Sequence, residues 1–301
     1  MNTKLCNNCP HNCNVDRSKG QKGFCNSGNN PMVSSICLHY GEEPVISGEK
    51  GICNVFFSKC NLQCVYCQNY QISRSNSIKG EELTTVQLAD RIVEILKQGI
   101  DMLGFVSPTH FVWQMIETID ILHQKGYHPT VVYNTNGYDN VEVLKEIAQY
   151  VDVYLPDFKY MDKYLAKNLS QAENYPEKAT LAIQEMYRQK GTDIEIDENG
   201  LCRKGLIIRH LVLPKQIQNS CDVLKTIADI DNQITISVMS QYNPSFSIPE
   251  FSFLNRSLTP SEYEIVTDLI DDLCFEKGWI QELDSKNCYN PDFEKENPFE
   301  R

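Results

Sequence analysis

The sequence predicts an α/β fold in which parallel strands form a sheet or a barrel. Between residues 52 and 239, short apolar runs alternate with longer segments whose apolar side chains recur with helical spacing. This alternation gives six expected strands with five helices between them. The length of 301 residues and the hydrophobic content of 41% allow one sizeable core, and an α/β barrel of this length can be a single domain.

The expected strands are apolar runs bounded by polar or turn-forming residues. They cover residues 52–57, 102–106, 130–133, 151–155, 206–212 and 234–239. Between the fourth and fifth strands, residues 192–203 are expected to form an excursion that turns at Asn199-Gly200.

The helices are predicted from their apolar faces and their capping residues. They are expected at 84–99, 112–126, 139–148, 170–188 and 220–230. The first begins at Thr84, with Gln87 in the capping-box position and Val86 on the apolar face. Asp139 is predicted to cap the third helix, and Pro176 interrupts the fourth or lies in its first turn.

A further helix is expected to begin at Thr259, which has Glu262 three residues after it as a capping box requires. The polar residues that follow, 281–301, are predicted to be an irregular covering segment or a mobile tail. We therefore expect three parts, a cysteine-rich segment at 1–50, the strands and helices at 51–250, and a C-terminal helix and tail at 251–301.

The composition excludes several classes of partner. The net charge of −12 argues against a nucleic-acid backbone, which would need clustered Lys and Arg. Residues 1–19 lack the apolar core of a secretory signal, and no run of about eighteen apolar residues is present to cross a membrane. We therefore expect a cytoplasmic protein without a membrane partner, whose 13 cysteines point to metal ligands rather than disulfides.

The first strand leads into a loop with three closely spaced cysteines. Cys60, Cys64 and Cys67 follow the spacing C-x3-C-x2-C, and no fourth cysteine lies nearby. Three thiolates can hold three corners of an iron–sulfur cube and leave one iron open to another ligand. The alternatives are a disulfide pair, which the absence of a signal peptide disfavours, an incomplete zinc site, or unligated core thiols.

Four more cysteines lie within the first 25 residues. Cys6, Cys9, Cys13 and Cys25 belong to a segment without periodicity, and His11 lies between them. A small segment that cannot bury a core usually needs a staple. Four thiols suit tetrahedral zinc or a second iron–sulfur cluster that passes electrons, while unligated thiols are the remaining alternative.

Three other residues in this half of the chain are predicted to be structural. Cys37 and Cys53 are expected to be small buried hydrophobes, although Cys53 leads into the cysteine loop and has a reactive thiol as its alternative role. His39 precedes a turn and is predicted to be a surface histidine, with metal ligation as the alternative.

The cysteine loop resembles the signature of the radical S-adenosylmethionine (radical SAM) superfamily, in which an aromatic residue, here Tyr66, usually precedes the third cysteine. Beyond the loop, the chain resembles the PflX-type branch of pyruvate formate-lyase activating enzyme homologues. The resemblance extends over residues 6–13, 39–44, 67–70, 107–110, 133–138, 155–160, 208–214 and 239–242.

The resemblance implies a partial (βα)6 TIM-like barrel and a [4Fe–4S] cluster whose open iron chelates SAM. It further implies that an electron cleaves SAM to methionine and a 5′-deoxyadenosyl radical, which abstracts hydrogen from a substrate. The substrate is a polypeptide, as in glycyl-radical activation, or a small molecule, and a flavodoxin or ferredoxin is the expected reductant. The protein itself would supply ligation, orientation and protection of the cofactor.

The segment after the second strand departs from the superfamily pattern. Many members carry Gly-Gly-Glu-Pro there to receive the SAM amino group, whereas this chain has Ser107-Pro108-Thr109-His110. The position implies that Ser107 and His110 belong to the SAM site, together with Tyr66. His110 is interpreted as a proton donor, a SAM contact or a residue of the helix start.

Polar residues at the ends of the later strands complete the expected SAM site, because barrel chemistry occurs at the C-terminal ends of the strands. By resemblance to activating enzymes, Lys159 meets the SAM carboxylate or ribose and Asp157 orients it. Arg209 lies in an aliphatic run, so a SAM carboxylate or an acidic neighbour should face it. Candidate adenosine contacts are Asn134, Asn136 and Gln241.

Two functions without catalysis remain open. A non-catalytic iron–sulfur or zinc protein that transfers electrons or binds metal would not need Asp157, Lys159 or Arg209 beside an open iron. A regulatory module with a structural metal would leave these strand-end residues unexplained. The radical SAM enzyme is therefore the preferred interpretation.

Overall fold

The structure, a computed structural model, describes residues 5–287, 290–295 and 297–300. Its strands are β1 (Met32–His39), β2 (Ile52–Phe57), β3 (Glu81–Glu82), β4 (Met102–Val106), β5 (Thr130–Thr135), β6 (Val153–Pro156), β7 (Glu195–Ile196), β8 (Cys202–Leu211), β9 (Thr235–Met239) and β10 (Gly278–Ile280). They form one open sheet in the order β10-β9-β8-β6-β5-β4-β2-β1-β3, with β7 paired to β8.

The helices lie largely in the connections between the strands. They are α1 (Pro44–Ser47), α2 (Tyr70–Ser73), α3 (Thr85–Leu96), α4 (Val112–Gln124), α5 (Val141–Ile147), α6 (Lys163–Ser170), α7 (Tyr175–Lys190), α8 (Ile217–Asp231) and α9 (Pro260–Asp272). Short 3-10 segments occur at Arg17–Lys19, Pro108–Phe111, Pro249–Asn255 and Leu283–Asn287. In the described part of the chain, no helix is both long and apolar enough to span a bilayer.

The six predicted strands are β2, β4, β5, β6, β8 and β9, which are neighbours in the sheet and run parallel. The predicted α/β fold and partial TIM-like barrel are therefore confirmed. The predicted excursion between β6 and β8 contains β7, which pairs antiparallel with β8 after the turn near Gly200.

The sequence analysis missed β1, which pairs antiparallel with β2 along the edge of the parallel strands. The predicted boundary at residue 50 therefore lies in the connection between two hydrogen-bonded strands. Burial by this pairing confirms that Cys37 and Cys53 are packed thiols, with 6% and 0% of their surfaces exposed. The prediction of a surface position for His39 is wrong, because the end of β1 lies under the C-terminal segment and leaves His39 only 7% exposed.

Both predicted capping boxes are present, at Thr84 with Gln87 and at Thr259 with Glu262. Pro176 lies in the first turn of α7 rather than interrupting a helix. The assignment of Val86 to the apolar face of α3 is wrong, since this side chain is 51% exposed and the buried face begins with Thr85 and Leu88.

Asp139 does not cap α5, whose N-cap residue is Asn140. The Asp139 carboxylate is buried, and it accepts hydrogen bonds from the hydroxyls of Thr109 and Tyr133, both at 2.8 Å, and Thr135 at 2.6 Å. Tyr133 and Thr135 lie on β5 and Thr109 in the 3-10 segment after β4, so the fold brings all three hydroxyls to the carboxylate. Burial raises the pKa of Asp139, although the three hydrogen bonds oppose this effect.

The two faces of the sheet bury different sets of side chains, as expected from the alternation of side chains along a strand. One face packs against the helices through residues such as Val55, Phe105, Tyr133, Ile208 and Val238. The opposite face forms a smaller cluster, into which α1 inserts Ile46. That cluster includes Ile52, Met102, Val132, Val153, Leu155 and Ile207. The second face therefore carries this apolar cluster at one end and polar residues at the other.

The described part of the C-terminal segment covers the sheet, as one of the two predicted alternatives proposed. The ring of Phe299 lies 4.0 Å from that of His39 and 5.5 Å from that of Phe56, measured between centroids. Phe293 also packs against Phe56. Phe293 is anchored by its backbone N–H, which donates to Oε1 of Gln71 at 2.7 Å.

Candidate functional site

A cavity of about 420 Å³ opens at the carboxyl ends of the parallel strands. Every strand from β2 to β9 in the parallel part of the sheet contributes to it, directly or through the loop that follows. The chemically relevant lining residues are Cys60, Cys64, Tyr66, Cys67, Ser107, Asn134, Asn136, Asp157, Lys159, Arg209 and Gln241. The structure therefore brings the three loop cysteines and most of the predicted strand-end residues to one place.

The cysteine loop follows β2 directly and is held on both sides of its middle cysteine. The backbone N–H of Val65 donates to the carbonyl of Leu169 at 2.8 Å, and that of Gln63 donates to Ser170 at 3.4 Å. Since these two residues flank Cys64, the C-terminus of α6 fixes the conformation of the loop. Lys59 begins the loop with a φ of 68°, a left-handed conformation that turns the chain sharply after the strand.

The thiols of this loop receive hydrogen bonds from residues far away in sequence. Asn136 Nδ2 donates to Cys60 Sγ at 3.3 Å, and Ser170 Oγ donates to Cys64 Sγ at 3.0 Å. Burial raises the pKa of Cys60 to about 12 and that of Cys64 to about 11. Three thiols that face one cavity, two of them with polar donors, fit the thiolate ligation and sulfur hydrogen bonding of an iron–sulfur cluster.

Asp157 and Lys159 form a partly buried ion pair beside the cysteines, with Lys159 Nζ 2.6 Å from Asp157 Oδ2. Burial by itself lowers the pKa of Lys159. The charges of Asp157 and of the nearby Cys64 and Cys67 outweigh that effect and raise it, so the ammonium stays charged. The predicted pairing of these two residues is thus present at the cavity wall. A charge-assisted pair of this kind can orient an anionic or hydroxyl group of a ligand.

Arg209 faces acidic neighbours, which is one of the two alternatives predicted for it. Its Nε lies 2.8 Å from Glu43 Oε1, and its Nη2 contacts both Glu43 and Glu42. Asn54 Nδ2 donates to Glu42 Oε1 at 2.7 Å and completes the group. All three charged side chains are nearly buried, with exposures of 11% for Arg209, 9% for Glu42 and 6% for Glu43.

The sequence analysis did not assign a role to Glu42 or Glu43. Both carboxylates come from the loop after β1, which enters the concave face of the partial barrel ahead of α1. Burial is the largest single effect and raises the pKa of Glu42, but the charges of Arg209 and His39 and the hydrogen bonds from Arg209 and Asn54 together lower it below its ordinary value. The signal that was available was the adjacent acidic pair before Pro44, together with an arginine that required a partner.

The predicted site residues after β4 separate into two environments. Ser107 lines the cavity in a left-handed conformation, with a φ of 51°. His110, three residues further along the chain, is 1% exposed. Its Nε2 is 3.0 Å from the carbonyl oxygen of Ser58. Burial lowers the pKa of His110 to about 3, so the imidazole is neutral. Among the described residues His110 does not line the cavity, and its contacts are those of a structural residue at the start of the helix.

The candidate adenosine residues all reach the cavity but also bind the protein. Asn134 Nδ2 is 3.5 Å from Glu42 Oε1. Asn136 donates to Cys60, and Gln241 Nε2 contacts Gln68 Oε1 at 3.4 Å. The amide of Asn136 is therefore engaged with the cysteine loop, although Asn136 also lines the cavity.

The N-terminal cysteines lie against the cysteine loop. His11 Nε2 is 2.9 Å from the carbonyl oxygen of Asn61, and Lys59 Nζ donates to the carbonyl of Asn26 at 2.5 Å. Cys9 and Cys25 are buried, whereas Cys6 and Cys13 are partly exposed. In the ranges that the structure describes, no group of three or more His, Cys, Asp or Glu side chains is arranged to hold a single metal ion.

Comparison with known proteins agrees with this geometry. Residues 54–196, which run from β2 through the cysteine loop to β7, match the model of the radical SAM superfamily. The chain is also 31% identical over 278 residues to the uncharacterized protein MJ0674 of Methanocaldococcus jannaschii. That match covers 89% of this chain and 75% of the relative.

Residues 54–196 of this chain match the radical SAM superfamily.

The fold recurs in a solved structure of low sequence identity, HydG. HydG, a maturase of the [FeFe]-hydrogenase, superposes with a TM-score of 0.50 and 16% identity over 73% of this chain and 49% of its own. Native anSMEcpe with bound AdoMet gives a TM-score of 0.46 and 16% identity over 71% of this chain and 57% of its own. The chain thus spans about half the length of these two solved proteins.

Proposed function

We propose that this protein is a radical SAM enzyme that abstracts hydrogen from a polypeptide or a small molecule. Cys60, Cys64 and Cys67 would hold a [4Fe–4S] cluster, and SAM would bind at the open iron. When bound and reduced, this pair supplies a 5′-deoxyadenosyl radical and methionine. The observation that carries the proposal is the presence of all three thiols and the Asp157–Lys159 pair in one cavity at the ends of the parallel strands.

The residues around the cavity have distinct proposed tasks. Lys159 would bind the SAM carboxylate or ribose, and Asp157 would hold the ammonium in place. Ser107 and Asn134 offer a hydroxyl and an amide where many relatives offer a carboxylate. Tyr66 would pack beside the cofactor at the cavity wall. Arg209, held by two carboxylates, would form the base of the site rather than a mobile clamp.

The subtype and the cellular setting are also proposals. The residue matches described above favour a PflX-type homologue of the pyruvate formate-lyase activating enzymes, with oxidoreductase activity. Between Cys67 and Ser107 the chain forms α2, β3, α3 and β4 without a ferredoxin-like insert, which disfavours an activase of the multi-cluster type. A flavodoxin or ferredoxin in the cytoplasm would supply the electron, and neither nucleic acid nor a membrane would be a partner.

We further propose a second metal site at Cys6, Cys9, Cys13 and Cys25, occupied by zinc or by a second iron–sulfur cluster, for which these thiols would have to move from the positions they hold in the structure. The proposal is supported by hydrogen bonds to two of the thiols. The backbone N–H of Phe24 donates to Cys13 Sγ at 3.3 Å, and Arg17 Nη2 donates to Cys25 Sγ at the same distance. The contact of His11 with Asn61 would place either metal next to the main cysteine loop.

Anaerobic reconstitution tests both assignments. The wild type, reduced and supplied with SAM, is expected to yield 5′-deoxyadenosine and to change its electron paramagnetic resonance signal when SAM is added. Cys64→Ala should lose both responses, whereas Cys221→Ala, a cysteine on α8 away from the loop, should keep them. Cys9→Ala should lower the folded yield or the electron supply, and SAM should still perturb the signal of its main cluster.

Iron, sulfide and zinc are measured in each of these variants. A wild type that holds zinc at the loop cysteines, or that gives neither product nor spectral change, would favour the non-catalytic metal protein. A well-folded Cys9→Ala variant that binds SAM as poorly as Cys64→Ala would contradict the division into two sites.

A further inference from the structure

Three buried hydroxyl groups connect the cysteine loop to the end of α6. The Oη atoms of Tyr66 and Tyr160 are 2.6 Å apart, and Tyr160 Oη is 2.7 Å from Ser170 Oγ. Ser170 Oγ donates in turn to Cys64 Sγ at 3.0 Å. Tyr160 and Ser170 are fully buried, and Tyr66 is 8% exposed. We call Tyr66, Tyr160 and Ser170 the hydroxyl chain.

The direction of the hydrogen bonds in the hydroxyl chain follows from the number of protons. A thiolate that binds iron has no proton and can only accept. Ser170 has a single hydroxyl proton, which points to Cys64, so the oxygen of Ser170 must accept from Tyr160. Tyr160 has then used its own proton and must accept from Tyr66. All three O–H dipoles consequently point toward the sulfur.

The geometry of this contact is fixed by backbone pairing. Leu169 and Ser170, the last residues of α6, accept from the backbone N–H groups of Val65 and Gln63 on either side of Cys64. Tyr160 also packs edge-on against Tyr175, with ring centroids 5.4 Å apart. The hydroxyl of Ser170 therefore keeps its position relative to the sulfur without depending on a ligand.

Hydrogen bonds to cluster sulfurs are one of the levers by which a protein sets the reduction potential of an iron–sulfur cluster. A donor near the sulfur stabilises the extra negative charge of the reduced form. Hydrogen bonds in a row polarise one another, so each added O–H strengthens the bond at the end of the chain.

We propose that the hydroxyl chain raises the reduction potential of the cluster bound through Cys64 and that Ser170 is its positioning residue. This inference rests on the proposed function, because it requires a cluster at the loop cysteines. Reduction adds one electron from an external low-potential donor, and the hydroxyl chain stabilises the product without exchanging atoms with it.

The test is a redox titration of the reconstituted protein with dithionite, followed by electron paramagnetic resonance. Ser170→Ala should show the most negative midpoint potential, Tyr160→Phe a smaller decrease and Tyr66→Phe the smallest. Ser170→Thr keeps a hydroxyl and should return the potential toward that of the wild type. Thr118→Val removes a buried hydroxyl on α4, where it donates to the carbonyl of Gln114, and should leave the potential unchanged.

Each outcome separates the inference from the proposed function. A wild type that assembles no iron–sulfur cluster at the loop refutes the proposed function, as measured by its iron and sulfide content. Variants that load a full cluster but all titrate at the wild-type potential refute the hydroxyl chain alone. A larger decrease for Tyr66→Phe than for Ser170→Ala would also refute it, because a purely structural effect of the ring would then dominate.

Discussion

Among the described residues, Arg209 is the positive charge that lies between the buried carboxylates of Glu42 and Glu43. The substitution Arg209→Leu removes this charge. In the wild type, Arg209 binds Glu43 through Nε and Nη2 and also contacts Glu42. Leucine fills part of the same volume but leaves both carboxylates without a counter-ion. The perturbation therefore isolates the charge of the guanidinium from the simple loss of packing.

Removing one partner of a buried ion pair costs about 3–5 kcal/mol, because the remaining charge is left uncompensated. Glu42 and Glu43 are 9% and 6% exposed, so solvent screens them little. We expect the free energy of unfolding to fall by an amount near the upper end of that range. Arg256→Leu is the matched control, since Arg256 binds Glu262 but is 36% exposed, and it should cost about 0–1 kcal/mol.

The pH dependence of the variant follows from the pKa of Glu42. In the wild type, burial raises this pKa, but Arg209 together with His39 and Asn54 lowers it below the ordinary value of 4.5. The contribution to stability is present above pH 4.5 and is lost as the pH falls through the folded-state pKa. Without Arg209, His39 and Asn54 oppose the effect of burial less than the full group does, so the pKa of Glu42 rises and the destabilisation of the variant should grow as the pH rises from about 4.5 toward 7.

Urea denaturation of the metal-free protein at several pH values measures these differences. Adding Glu42→Gln and Glu43→Gln to Arg209→Leu should restore part of the lost stability at pH 7, because the unpaired charges are removed. The reasoning is refuted if Arg209→Leu costs no more than Arg256→Leu, or if its cost is independent of pH while the triple variant recovers nothing.

Two other substitutions test the packing of the same fold. Gly104→Ala would place a Cβ 2.0 Å from Oδ1 of Asn54, so Asn54 must move and weaken its bond to Glu42; we expect a loss of about 1–3 kcal/mol in urea denaturation. Thr259→Ala removes the capping hydroxyl that accepts from the Glu262 N–H, and should cost about 1 kcal/mol, with a loss below about 0.3 kcal/mol indicating that α9 does not need its cap.

Local sequence signals accounted for much of the fold. Alternating apolar runs predicted all six central strands, and the residues Thr84 and Thr259 predicted two helix starts correctly. Edge strands were harder to predict. β1 contains Ser34 and Ser35 and shows no clear alternation of apolar and polar residues. Its conformation depends on hydrogen bonds to β2, which no local pattern specifies.

The candidate site was predicted where side-chain chemistry alone was distinctive. The spacing of Cys60, Cys64 and Cys67 indicated an iron–sulfur loop, and Asp157 with Lys159 indicated a charged pair. Asp139 was assigned to a helix cap because the sequence cannot show that three hydroxyls converge on its carboxylate. Ser170 was missed for the same reason, since it meets Cys64 across 106 positions of the chain.

By itself, the sequence determined which thiols are the candidates for a cluster, because thiols at fixed spacing in one loop need no distant partner to be recognised. It also determined the parallel α/β architecture, since periodicity and capping are local properties. Tertiary structure alone decided which polar groups surround these thiols and which charges neutralise each other. Those contacts join residues more than a hundred positions apart, such as Arg209 with Glu42 and Glu43, and only the folded sheet brings them together.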